Sequence, residues 1–193
     1  MRWPWSAGWG RGVSLDEEKV LSSQTVFEGR VVKLRVDTVE MPGGRQSTRE
    51  IIEHGEVVAV VVLDDRGQVV LVEQYRGAVG KPLLEIPAGG IEPGEDAADA
   101  VRRELREEIG YLPQRIERLG GFYAAPGYCT EYMHLYLATD LVPSRLFAED
   151  TEGIRLVRVS LERAVALVLS GDIHDGKSVA GLLLYLAMKG SAR

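Results

Sequence analysis

Apolar positions along this chain recur with two different periods, and the changes of period mark its elements. Over residues 25–53 apolar and polar positions alternate in pieces, with VVKLRVDTVEM and RQSTREIIEH on either side of Pro42-Gly43-Gly44. This predicts an antiparallel pair of strands. VVAVVVL and QVVLVEQYR then surround Asp64-Asp65-Arg66-Gly67, a second hairpin of β-branched residues expected at the centre of a sheet. RLGGFYAAP and EYMHLYLATDL predict two more strands around the loop 127–130, and IRLVRVS one further strand.

Helical spacing takes over in three places. After the turn at Pro93-Gly94, residues 95–109 contain no breaker, and Gly110 supplies the usual stop. LERAVALVLSG and KSVAGLLLYLAMK close the chain as amphipathic helices. The element order predicts a mixed sheet with helices on its faces, α/β or α+β, around one core. Residues 1–20 are expected to form a loose tail, 21–55 an N-terminal β region and 56–190 the main domain.

Composition narrows the classes of function. With 193 residues, 45% of them hydrophobic, the chain can bury a full core. Its net charge of -6 argues against a general nucleic-acid surface, so a polyanionic ligand would need metal ions or a few placed arginines. One cysteine, Cys129, allows no internal disulfide and favours a reducing, cytoplasmic setting. No targeting segment or membrane span is predicted, and the scattered His54, His134 and His174 read as structural.

The segment GGIEPGEDAADAVRRELREEIGY, residues 89–111, places unusual charge on a helix that must bury a face. At about 100° per residue, Ala97, Val101, Leu105 and Ile109 form the apolar stripe, while Glu104 and Glu108 share another row. Glu108 projects between Ala97 and Val101, at the edge of the core. An ordinary surface pair accounts for Arg103 and Glu107. It does not account for Glu104 and Glu108, like charges one turn apart near apolar neighbours, unless a cation compensates them. Mg²⁺, a hard cation often held by carboxylates together with substrate phosphates, suits the role.

Gly89, Glu95, Arg103-Glu104-Leu105, Glu107-Glu108 and Gly110, at these spacings, resemble the signature of the Nudix hydrolases; only Tyr111, where an aliphatic residue is usual, departs from it. The resemblance implies a Nudix-type α/β/α sandwich with an N-terminal antiparallel extension. It also implies two or more Mg²⁺ (or Mn²⁺) ions held by Glu104, Glu107, Glu108 and the carbonyl of Ala88. Arg103 would hold a box glutamate in place, and Glu95 would support the junction of loop and helix.

Other segments carry a narrower resemblance, to ADP-ribose pyrophosphatases. Pro126 lies sixteen positions after Gly110, within GGFYAAPGYCTE, and Thr48-Arg49-Glu50, Glu73-Gln74-Tyr75-Arg76, Leu84-Glu85-Ile86-Pro87-Ala88-Gly89 and Glu149-Asp150-Thr151-Glu152 match as well. By this resemblance Arg49 and Arg76 would contact phosphate or nucleotide, and Glu50, Pro126 and Glu131 would lie near the ribose or base. For Arg49 and Glu50 a cross-strand surface pair is an equal alternative. Glu152, then Asp150, would orient or deprotonate the attacking water. The implied reaction splits ADP-ribose into AMP and ribose 5-phosphate. Alternatives are GDP-mannose, a dinucleoside polyphosphate, FAD or NADH as substrate, or a non-catalytic ligand-binding regulator. A homodimer through the N-terminal strands is expected, with no nucleic-acid or membrane partner.

Overall fold

A computed structural model of the protein describes residues 18–148, 151 and 153–191. The chain divides into two compact units, Met1–Glu53 and His54–Arg193.

In the first unit, β1 (Lys19–Glu28), β2 (Lys33–Glu40) and β3 (Gln46–Glu53) form an antiparallel sheet in chain order. The β2–β3 turn needs φ of 88° and 80° at Gly43 and Gly44, a region glycine enters without steric cost. These are the two strands the alternation predicts. β1 is an addition, and it starts at Lys19, inside the expected tail, because Lys19 pairs with Glu40. Its side chains are exposed throughout and its register is bulged twice, so KVLSSQTVFE lacks a clean two-residue pattern.

The second unit is built on a seven-stranded mixed sheet. Its path runs β10 (Arg155–Val159), β5 (Val69–Arg76), β4 (Val57–Leu63), β9 (Tyr132–Pro143), β8 (Tyr111–Tyr123). The short β6 (Lys81–Glu85) pairs with β5 and β7 (Ala88–Gly90) with β4. Among the described strands of this sheet only β4 and β9 run parallel.

VVAVVVL in β4 has no polar side because helices cover both of its faces. Val58, Val60 and Val62 meet Ala100, Val101 and Leu105 of α1 (Ala97–Glu108). Ala59 and Val61 share the opposite core with Leu161, Ala164 and Leu167 of α2 (Leu161–Ser170) and Leu182 of α3 (Gly176–Ser191). The result is the predicted three-layer helix–sheet–helix arrangement.

Two differences from the sequence reading have simple causes. The first helix starts at Ala97 rather than residue 95, since Asp96 takes the cap position and accepts the Ala98 N–H at 2.8 Å. β8 starts at Tyr111, well before RLGGFYAAP, and tolerates Pro113 because it ends the sheet path, where an unpaired edge needs no donor.

Candidate active site

The charged residues of α1 converge on one guanidinium. Arg103 grips Glu95 with two bonds, Nε to Oε1 and Nη2 to Oε2, both 2.9 Å. Nη2 also reaches the Gly90 carbonyl at 2.7 Å, and Nη1 reaches Glu104 at 2.7 Å and Glu107 at 3.2 Å. All five donors of the fork therefore have partners. The Glu95 bond raises the Arg103 pKa above its ordinary value more than any other contact. Glu95 precedes the helix; its Oε2 accepts the Glu92 N–H at 3.0 Å, so Arg103 ties the turn before α1 to the helix body.

Glu108 is a buried carboxylate and Glu104 a half-buried one. Glu108 is only 8% exposed, and its Oε2 accepts the Ala88 N–H at 3.2 Å. Burial, reinforced by the nearby charge of Glu104, pushes its pKa up to about 8. Burial also raises the Glu104 pKa, against the pull of Arg103. Gly89 leaves the space for this packing, since a Cβ there would occupy the Glu104 carboxylate.

A second group of charges adjoins the first. Arg76, the last residue of β5, holds Glu85 in a two-bond fork, Nε to Oε1 at 2.9 Å and Nη2 to Oε2 at 2.6 Å. Lys177 approaches Glu85 Oε2 from α3 at 2.5 Å and also pairs with Asp175 at 3.0 Å. The charges of Arg76 and Lys177 both act to lower the Glu108 pKa.

Pro126 lines a cavity of about 640 Å³ with Glu56, Arg118, Tyr123, Cys129, Thr130, Tyr132 and His134. None of the α1 carboxylates is among these residues. Tyr132 stands edge-on to both Tyr123 and His134, with ring centroids 5.0 and 4.8 Å apart. Glu131 lies 3.7 Å from His54 Nδ1. His134 bonds Glu56 at 2.7 Å, and His54 and His174 each contact a backbone carbonyl.

Arg49 and Glu50 belong to β3 of the first unit. Arg49 pairs with Glu18 and bonds Ser47 Oγ. Asp150 and Glu152 lie outside the described residues.

Residues 53–181 match the NUDIX domain. The chain belongs to the Nudix hydrolase family. Residues 18–52 match the nucleoside diphosphate sugar hydrolase N-terminal domain. An ADP-ribose pyrophosphatase of Bacillus subtilis (strain 168) is 36% identical over 175 residues, covering 90% of this chain and 94% of the relative. A methanol dehydrogenase activator of Bacillus methanolicus is 41% identical over 167 residues, 86% and 90% of the two chains. A crystal structure of an ADP compounds hydrolase superposes with a TM-score of 0.85 at 27% identity, covering 94% of this chain and 100% of the other.

The donor set of this Nudix box fits a hard cation. It offers carboxylate and backbone oxygens, and Glu104 and Glu108 are neighbouring acids whose charged forms desolvation disfavours and a cation would stabilise. Among the described residues no three His, Cys, Asp or Glu side chains stand ready around a single point. Arg103 holds one oxygen of Glu104 and one of Glu107.

Sequence reasoning gave Glu85 no role of its own and did not single out Lys177. The available signals were an acid inside the apolar run LLEIP and a lysine at the start of an otherwise apolar helix. Their pairing spans 92 positions, which no local pattern reveals.

Gly89→Ala is expected to displace Glu104 from its notch. About 1–3 kcal/mol of stability should be lost, as for other overpacked sites, together with most hydrolytic activity. Chemical unfolding and a turnover assay check both effects.

Proposed function

We propose that the protein hydrolyses ADP-ribose, or a related nucleoside diphosphate sugar, to AMP and ribose 5-phosphate with Mg²⁺ or Mn²⁺. The observation that carries this reading is the pair Glu104 and Glu108, acids one turn apart on α1, with Glu104 set in the Gly89 notch and Glu108 buried on the Ala88 N–H. The relative named an ADP-ribose pyrophosphatase supports the substrate class.

Glu104 and Glu108, with Glu107 and the carbonyl of Ala88, would hold two or more cations. Bound there, a divalent cation would neutralise charge on the pyrophosphate oxygens and lower the pKa of water. Arg103 keeps Glu95, Glu104 and Glu107 in position. Arg76, whose Nη1 has no hydrogen-bond partner among the described residues, would bind a phosphate oxygen. Glu152, then Asp150, is the first choice for taking the proton from water as its oxygen attacks phosphorus, with Glu108 as the alternative. Arg49, Glu50, Pro126 and Glu131 would contact the nucleotide or its sugar.

The same reading includes a homodimer and a cytoplasmic location. Val20, Leu21, Val26 and Phe27 are exposed on β1, an apolar surface suited to a second copy. Sedimentation should give twice the chain mass, and a monomer at micromolar concentration would remove the dimer. No helix among the described residues is long and apolar enough to cross a membrane.

The relative named a methanol dehydrogenase activator favours a second reading, in which the chain activates a dehydrogenase. GDP-mannose, dinucleoside polyphosphates, FAD and NADH therefore join ADP-ribose in the assay panel, with and without Mg²⁺. The expected result is Mg²⁺-dependent release of AMP and ribose 5-phosphate from ADP-ribose. Faster cleavage of another compound would reassign the substrate. Silence across the panel, from folded protein, would favour the regulatory reading.

A further inference from the structure

The network at the base of α3 holds more buried charge than anchoring that helix requires. Ser178 is fully buried; its Oγ accepts the Ile86 N–H at 2.8 Å and donates to Asp175 at 2.5 Å. Gly181 then brings α3 close to the sheet, since a Cβ there would lie 2.9 Å from Ile86 Cδ1. A neutral hydrogen bond and apolar packing thus already fasten α3 to the segment between β6 and β7. Lys177 adds an ammonium that is 7% exposed, beside a carboxylate that is 1% exposed. Burying such a pair carries a desolvation cost that apolar replacements avoid, so the pair is weak evidence for a purely stabilising role.

The geometry shows what the charge does. Both Glu85 oxygens are committed to Arg76, and Oε2 is shared between Arg76 Nη2 and Lys177 Nζ. Lys177 approaches from α3 while Arg76 approaches from β5, so Glu85 is held between two cations. The Arg76 side chain is 39% exposed, in contrast to the buried groups behind it. A fixed carboxylate thereby fixes the plane of an accessible fork.

We propose that Lys177 is a positioning residue, which locks Glu85 so that the Arg76 guanidinium is pre-aimed at a phosphate oxygen of the nucleoside diphosphate. The proposal rests on the reading of Arg76 as a phosphate contact. Lys177 does not touch substrate; it acts through Glu85 and then Arg76. Three residues after Glu85, the Ala88 N–H bonds Glu108 Oε2 at 3.2 Å, which ties this segment to the box carboxylates.

The test is a double-mutant cycle with ADP-ribose and saturating Mg²⁺. Lys177→Met keeps the length of the side chain and removes its charge. It is expected to lower kcat/KM about 10- to 100-fold, the scale of a small misplacement of a substrate-positioning group. Lys177→Arg, which keeps a cation on Glu85, should recover part of that loss. In an Arg76→Ala background, Lys177→Met should cost nothing further, because the group it positions is gone.

Glu85→Gln provides a second arm. It keeps one acceptor oxygen, surrenders half of the fork, and should reproduce both the loss and its disappearance with Arg76→Ala. Thermal unfolding of each variant separates misfolding from misplacement. Additive losses, or unchanged kcat/KM in folded Lys177→Met or Glu85→Gln, would overturn the inference. So would unfolding of both variants, which would assign the network to stability. If Arg76→Ala alone leaves kcat/KM unchanged, the phosphate role of Arg76 fails, and this inference fails with it.

Discussion

Replacing Glu108 with Gln is expected to lower turnover about 10²- to 10⁴-fold, the range for losing a positioned acid–base group, while making the cation-free protein more stable. The two effects share one cause. Glu108 is nearly buried, and burial together with Glu104 pushes its pKa from 4.5 to about 8. The folded state therefore binds this proton more tightly than the unfolded chain. Its stabilising effect is full below about pH 4.5 and is lost as pH rises through about 8. Gln carries no charge at any pH and escapes that loss. The thermal midpoint of Glu108→Gln without divalent cations should exceed that of the parent by a margin that grows between pH 6 and 9. A folded Glu108→Gln protein with near-parental turnover would remove Glu108 from the site.

Arg103→Met should have the largest effect on stability. Five hydrogen bonds disappear, and three carboxylates, Glu95, Glu104 and Glu107, lose their shared counter-charge. Their side chains are 16%, 12% and 17% exposed, so water compensates only in part. A loss of about 2–4 kcal/mol is expected, below the full penalty for breaking a fully buried pair. Because Arg103 bonding opposes the rise of the Glu104 pKa, its loss lets Glu104 take up a proton at higher pH, and the deficit should shrink as pH falls from 7 to 5. Urea unfolding at the two pH values measures it. Arg103→Lys keeps a charge but not the fork and should fall between the two.

How much of this was legible depended on the distance over which each feature is encoded. The helical wheel set Glu108 at the rim of the apolar stripe, and the folded side chain is 8% exposed there. The i, i+4 rule gave the Arg103–Glu107 contact, observed at 3.2 Å. It could not give the stronger grip on Glu95, because Asp96 caps α1 and leaves Glu95 in the preceding turn, beyond helical geometry.

Strand prediction failed where pairing rather than pattern makes the strand. LLEIPAGG yields two short strands, β6 on β5 and β7 on β4, and the chain changes partners across Ile86 and Pro87. No alternation of side chains announces such a switch. β8 likewise hides its first half behind Pro113, and only an edge position makes that residue acceptable. The Lys177–Glu85 pair exists only after α3 closes on the sheet, so charge spacing carries no trace of it.

The measurement that bears most directly on the box is Mn²⁺ binding to the metal-free protein, followed by electron paramagnetic resonance at pH 6.0 and 8.5. A cation must displace the Glu108 proton, so affinity should rise with pH across the interval spanning about 8, with proton release on binding. Glu108→Gln should bind weakly at both values and show little pH dependence. Equal affinity at pH 6.0 and 8.5, unchanged in Glu108→Gln and Glu104→Gln, would contradict the assignment of these carboxylates as the cation site.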